Sequence, residues 1–309
     1  MSNIDVFVIG GGPAGLAAAI AASRQGMRVV VSDGDTAPID KPCGEGLMPD
    51  SRLLATKLGM EIPESMGYEF RGIRFHCAGC TVEADFSGGR GVGIRRTTLH
   101  RALVEAAERA GVEFRWAALD SVRSHSRRYA YRKFCGRAVD QLHGDLWGDG
   151  CQIYVTPVDA HEVCVALVSR RQDFRLGEAL SRHYPVLRER LGRGSETSRE
   201  RGAVTGNVTL RAVARGNVAL IGDASGSVDA IAGEGICLSF RQAEVLAKAL
   251  AHGDLTGYNQ AHPWLALRPH LMAKTMLQLD RSQLVQSLAM GVLQAQPWIF
   301  RKLLEVHVA

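Results

Sequence analysis

The chain has 309 residues, 46% hydrophobic and 22% charged, enough for one large folded domain or two ordinary ones, with a composition usual for a soluble protein. A formal net charge of +5 is too mild to demand a nucleic-acid partner. Seven cysteines, an odd number without a dense short-spaced framework, speak against a disulfide scaffold and for a reducing compartment.

The N-terminus, "MSNIDVFVIGGG", carries no basic region before its apolar run, and no apolar stretch approaches the ~20 residues of a spanning helix. The expectation is a cytoplasmic protein, with peripheral membrane contact as its closest approach to a bilayer.

In chain order, residues 4–9 (IDVFVI) have the pattern of a parallel strand buried on both faces. The turn GGGPAG follows, then an alanine-rich helix closed by Gly26, then the strand RVVVSD: a βαβ opening. Gly10, Gly12 and Gly15 fit G-x-G-x-x-G, with Pro13 and Ala14 completing the turn. Gly10 makes the tight bend, Gly12 admits a pyrophosphate to the backbone, and Gly15 lets helix and strand pack closely. The helix N-terminus offers N–H groups to phosphates. Asp33 stands where an acidic side chain accepts ribose hydroxyls, so an adenine dinucleotide with a free 2′-hydroxyl is expected, either FAD or NAD.

Residues 72–94 read as a hairpin or small sheet, with GGRGVG (88–93) a turn and strand within it. TTLHRALVEAAERAG is an amphipathic helix with Thr97 or Thr98 as N-cap and Gly111 as its stop. Residues 120–137 read as irregular and strongly basic, a solvated segment rather than an RNA site. CQIYVTPV and HEVCVALVS form a hairpin around DAH, and a helical stretch interrupted at Pro185 follows. Cys77 and Cys80 form C-x-x-C without a second pair at zinc spacing, so no metal site is expected.

NVALIGD reads as a buried strand ending on Asp223. A carboxylate at such a strand end is costly without partners, and ribityl hydroxyls are suitable ones. The turn AGEGI then opens a helix whose N–H groups can face a flavin edge. A second glycine–aspartate motif of this kind selects FAD over NAD. The chain beyond residue 257 is helical, with Lys and Arg interleaved among apolar positions, which fits packing over a substrate domain or shallow contact with a membrane.

Four stretches, VIGGGPAGLAAAI, DKPCGEGLMP, GIRRTTLHRALVEAA and GNVALIGDASGSVDAIAGEGICLSFRQA, together resemble FAD-dependent oxidoreductases of the geranylgeranyl reductase group. These share the fold of aromatic flavin hydroxylases such as para-hydroxybenzoate hydroxylase. The resemblance implies an α/β protein: a Rossmann-like FAD-binding domain (1–66, 92–125, 205–255), an inserted β-rich substrate domain (67–91, 126–204) and a helical C-terminal region (256–309). It implies that Gly10, Gly12, Gly15 and Asp33 hold the ADP half and that Arg96 contacts the phosphate and ribityl region. It further implies that Asp223 binds the ribityl chain and that Gly233, Gly235 and Ile236 line the flavin. By the same resemblance Cys43, Gly44 and Glu45 would lie near the isoalloxazine, with Cys43 and Glu45 the substrate-side candidates for catalysis.

The implied reaction is reduction of carbon–carbon double bonds in a prenyl or other apolar, lipid-like substrate, with NAD(P)H or a reduced carrier supplying electrons. The alternatives are FAD-dependent aromatic hydroxylation and a degenerate flavoprotein without catalysis. The family's Ala-Asp-Gly strand motif is damaged here. Asp120, Ser124 and Arg127 fit it, but Ser121 replaces the glycine and the apolar strand before it is missing, so an internal deletion is expected around residues 116–130.

Overall fold

The computed structural model describes residues 3–77, 79–117, 128–136, 142–148, 150–171 and 173–308. The reading of Asp120, Ser121, Ser124 and Arg127 lies outside these residues.

β1 (Val6–Ile9), α1 (Pro13–Ser23) and β2 (Val29–Ser32) form the expected βαβ opening, with β1 and β2 parallel in the register Val6–Val29. Pro13 starts α1, where its missing N–H costs nothing, and the alanines let the helix lie close against its neighbours. A Cβ at Gly15 would stand 1.9 Å from the Gly10 carbonyl oxygen, so the first turn of α1 closes directly onto the end of β1.

Next come β3 (Gly46–Leu47), α2 (Pro49–Lys57), β4 (Tyr68–Phe70), the hairpin β5 (Gly72–Cys77) and β6 (Cys80–Asp85), and β7 (Gly91–Gly93). α3 (Arg96–Arg109) leads to β8 (Glu113–Arg115), which pairs parallel with β2. α3 starts one residue before Thr97, and neither threonine caps it: the residue at the N-cap is Arg95 and its side chain makes no capping bond.

β9 (Arg128–Gly136), β10 (Leu142–Trp147), β11 (Cys151–Asp159) and β12 (Glu162–Ser169) follow. Residues 128–136 are thus a regular strand, where an irregular segment was expected; their backbone is fixed on both sides, by β12 and by β13. α4 (Leu176–His183) and α5 (Pro185–Gly192) meet where Pro185 begins a new helix. β13 (Arg201–Thr205) completes a seven-stranded sheet in the order β13-β9-β12-β11-β10-β5-β6. Every pairing in it is antiparallel except β10 with β5.

β14 (Ala214–Arg215) and β15 (Val218–Ala219) make only a two-residue ladder with each other. The buried strand expected over NVALIGD is therefore absent as such: after β15 the chain bends into a 3-10 turn, Gly222–Ser225. Consistent with this, β1 lies at the edge of its sheet among the described strands, and the expectation of burial on both faces fails. Phe7 and Ile9 are 47% and 76% exposed, while Val6 and Val8 pack on the core.

The C-terminal part is α6 (Gly235–Ala251), α7 (Thr256–Leu279), α8 (Gln283–Ala295) and α9 (Pro297–His307). α6 packs against α1, and Phe240, Ala243 and Leu246 join the alanine face of α1 in the main core. α8 and α9 cover β6, where Met290, Phe300 and Leu304 meet Ile73, Val82 and Phe86. The two glycine motifs and the C-terminal helices thereby face one interior space.

Replacing Gly15 with Ala should lower stability by about 1–3 kcal/mol, because the new methyl can be accommodated only by moving backbone. A denaturant midpoint equal to that of the parent protein would contradict the close approach.

Candidate functional site

One cavity of about 780 Å³ runs between the glycine motifs and the C-terminal helices. Its polar end is bordered by Gly12, Pro13, Ala14, the loop Lys41–Gly46, Arg96, Asp223 and the turn Gly233–Ile236. Its other end is lined by Phe75, Trp147, Met272, Met276, Leu293 and Phe300. Nearly every residue expected to contact FAD borders this one space; Gly10, Gly15 and Asp33 lie in or beside the first turn without lining it.

The first turn is closed by hydrogen bonds to Asp33. The Gly11 N–H donates to Asp33 Oδ2 at 2.6 Å, and the Asp35 N–H donates to Asp33 Oδ1 at 2.9 Å, which fixes the carboxylate at the end of β2. The buried His100, on α3, places Nε2 at 2.7 Å from the Gly11 carbonyl. The Trp116 ring, stacked on Phe114, lies so close to Gly11 that a Cβ there would meet it at 2.5 Å. His100 and Trp116 carry no local signal in the sequence, because only the fold brings them to this turn.

Arg96 is 8% exposed, and its Nη2 lies 4.0 Å from where a Cβ on Gly12 would stand. A guanidinium beside a glycine whose backbone faces the cavity is a suitable diphosphate cradle. Glu45 is buried with a positive φ of 59°, and its Oε1 accepts the Arg96 backbone N–H at 2.8 Å. The carboxylate thus occupies the N-terminus of α3, where negative charge is favoured, and it fixes the residue that carries the guanidinium. Cys43 and Gly44 are held on the large sheet: Thr156 donates to the Gly44 carbonyl at 2.6 Å and the Cys164 thiol to the Cys43 carbonyl at 3.7 Å.

Asp223 stands on the 3-10 turn with its side chain exposed at the cavity wall, and its carboxylate has no hydrogen-bond partner among the described residues. The turn beneath it is tightly fixed. The Gly222 N–H donates to Gln242 Oε1 (2.9 Å), Gln242 Nε2 donates to Ser225 Oγ (3.2 Å), and the Ser225 hydroxyl donates to the Gly222 carbonyl (2.8 Å). His262 Nε2 lies 3.0 Å from both Gln242 Nε2 and Ser225 Oγ. Gly222 has φ +60°, and a Cβ there would stand 2.5 Å from the Ala14 methyl, so the two motifs touch.

Tyr154 of β11 donates to the Ile231 carbonyl at 2.7 Å and anchors the sheet to the second glycine turn. A Cβ on Gly44, Gly233 or Gly235 would meet no atom within 4 Å, so all three present bare backbone to the cavity. Bare amide surface, a guanidinium at the first turn and a carboxylate open at the second are the donor and acceptor set that FAD requires.

Cys77 and Cys80 face each other across the β5–β6 hairpin, and Cys77 Sγ donates to Gln286 at 3.4 Å. Among the described residues no cluster of three or more His, Cys, Asp or Glu side chains is placed to hold a metal ion.

Residues 3–128 match the family model of the FAD binding domain. Menaquinone reductase from Mycobacterium tuberculosis is 38% identical over 113 residues, 35% of this chain and 28% of that protein. Menaquinone reductase from Mycolicibacterium smegmatis is 40% identical over 87 residues, 28% of this chain and 21% of that protein. The matched stretches therefore span less than a third of these relatives. Among solved structures, the flavin-dependent brominase Bmp2 superposes with a TM-score of 0.83 at 14% identity, covering 99% of this chain and 93% of that one. Klebsiella pneumoniae HpxO, complexed with FAD and uric acid, superposes with a TM-score of 0.77 at 16% identity, covering 99% and 97%. At these identities the likeness is one of fold. FAD is the cofactor, and the residues assembled above fit it.

Replacing Asp223 with Ala removes an ionic hydrogen-bond acceptor worth about 1.5–3 kcal/mol, so FAD affinity measured by flavin fluorescence should fall roughly ten- to a hundredfold; an unchanged Kd would refute the assignment. Burial holds the His100 imidazole below its ordinary pKa of 6.5. A depressed histidine favours folding only while it is neutral, so stability should be full above pH 6.5 and fall on acidification through that value. The fall should be shallower in His100→Asn; equal acid sensitivity in the two proteins would remove His100 as a contributor.

Proposed function

We propose that this protein is an FAD-dependent oxidoreductase that reduces carbon–carbon double bonds in a prenyl or other apolar substrate. The observation that carries this reading is the continuity of the cavity: a polar end built for FAD opens into an end walled by Met272, Met276, Leu293 and Phe300. Resemblance to the geranylgeranyl reductase group and the partial match to menaquinone reductases support it. When bound, FAD supplies hydride transfer.

The chain's own residues do the rest. With FAD bound, Arg96 and the α1 N-terminus would hold phosphate and Asp223 would accept hydroxyls. The backbone of Gly233 and Gly235 would face the ring system. The methionine and phenylalanine side chains keep water from the reacting end and orient an apolar chain. Electrons come from NAD(P)H or a reduced carrier.

A substrate of this kind is delivered from a lipid surface, and the outer side of the C-terminal helices suits one. Trp264, Leu267, Leu271, Leu284, Leu288 and Trp298 are exposed, and Lys274, Arg281, Arg301 and Lys302 are exposed on the same stretch of chain. The two acidic residues of 256–309 are Asp280, buried and paired with Arg170, and Glu305, paired with Lys302. An apolar face flanked by net positive charge fits an anionic bilayer surface. Among the described residues no helix is long and apolar enough to cross one.

Under strictly anaerobic conditions, the reduced protein should be reoxidised by a polyprenyl lipid with one double bond saturated per flavin. Reoxidation only by oxygen, together with hydroxylation of a phenol, would overturn the reading in favour of a hydroxylase. The protein should sediment with phosphatidylglycerol vesicles and stay free of phosphatidylcholine vesicles; failure to bind either would remove the membrane surface.

A further inference from the structure

Glu234, between the two flavin-facing glycines, does not point into solvent. It is 5% exposed, and its Oε1 lies 2.8 Å from Nδ1 of His307, which is 7% exposed on the last turn of α9. Both residues border the cavity. They are far apart in sequence, and the pair is made only because α9 folds back over the N-terminus of α6.

The charged groups around the pair come from three helices. Arg268 of α7 lies 3.8 Å from Glu234 Oε2 and 3.7 Å from Asp50 Oδ2 of α2. Arg241 of α6 binds Asp50 at 2.9 Å, and the Cys237 thiol donates to the same carboxylate at 3.0 Å. Among the described residues these are two carboxylates and two guanidiniums, and the imidazole is a further titratable group beside them. A structural link between α6 and α9 would not need one: an apolar contact avoids the desolvation cost of burying ionisable groups.

A carboxylate beside one ring nitrogen favours the tautomer or ion with a proton there, which leaves the other nitrogen to exchange a proton with whatever lies in the cavity. The contact is off the line of an ideal hydrogen bond, as such pairs often are before substrate binds.

We propose that His307, oriented by Glu234, is the proton donor where the Gly233–Ile236 turn borders the cavity. The role rests on the reductase reading. Saturating a carbon–carbon double bond takes a hydride to one carbon and a proton to the other. FAD, bound and reduced, would supply the hydride and be left oxidised. The imidazolium gives its Nε2 proton to the second carbon, is left neutral, and regains a proton from solvent. Glu234 is a positioning residue, since it acts through the ring.

The test uses the full-length holoprotein and the variants His307→Gln, His307→Ala and Glu234→Gln. Both His307 variants should bind FAD with parent affinity and lose about a hundredfold or more in the rate of lipid-dependent reoxidation. Free imidazole should restore part of the rate in His307→Ala. Independently of turnover, nitrogen-15 spectra should show the neutral His307 ring protonated on Nδ1, with that preference lost in Glu234→Gln.

Parent-like reoxidation in His307→Gln, with an unchanged pH profile, would overturn the proposal, as would an Nε2–H ring indifferent to Glu234→Gln. If the parent protein reduces no polyprenyl lipid, the reductase reading fails, and the spectra still decide whether Glu234 sets the ring. If the variants lose FAD as well, the pair is a structural link and the proposal falls.

Discussion

The site depends on one close approach. Gly222 lies so near Ala14 that a single methyl on it would stand 2.5 Å from the alanine side chain. That contact puts the aspartate-bearing turn against the first turn of α1, so two motifs about two hundred residues apart share one cavity. With a larger residue at either place the turns would separate, and Asp223 would no longer face the same space as Gly12 and Arg96.

Holding the turns so close takes rigid support on each side. On the first side Gly15 meets the Gly10 carbonyl and Asp33 accepts the Gly11 N–H. On the second, Gln242 uses both ends of its amide, to Gly222 and to Ser225, with His262 beside it. Each buried polar atom of this network that lost its partner would cost about 1–3 kcal/mol, so the network specifies one geometry for the turn. The large sheet joins the same construction through Tyr154 and Thr156, which grip the second glycine turn and the Cys43–Glu45 loop. Cofactor end and apolar end are therefore walls of a single cavity.

The parts of this arrangement legible in the sequence are those governed by local backbone rules. The glycine spacing of residues 10–15, the acid closing β2 and the hairpin around Asp159–Glu162 follow from neighbours in the chain. What could not be read depends on distant partners. Thr97 and Thr98 have the chemistry of N-caps, but the carboxylate of Glu45 lies at the start of α3 instead. NVALIGD has the composition of a buried strand, yet among the described residues its regular pairing is the short ladder of Val218–Ala219 with Ala214–Arg215. The basic run at 128–136 looks irregular in isolation, and its regularity comes from β12 and β13. Glu234 and His307 carry no local signal, because their contact exists only once α9 has folded over α6.

The central claim is that these two turns form one FAD site. The most direct measurement is equilibrium titration of the purified chain with FAD, followed by flavin absorbance and fluorescence together with circular dichroism of the protein. The account predicts saturable uptake of one FAD per chain, with a visible-region signal from the bound flavin. A folded protein that stays colourless and takes up no FAD at any concentration would contradict it.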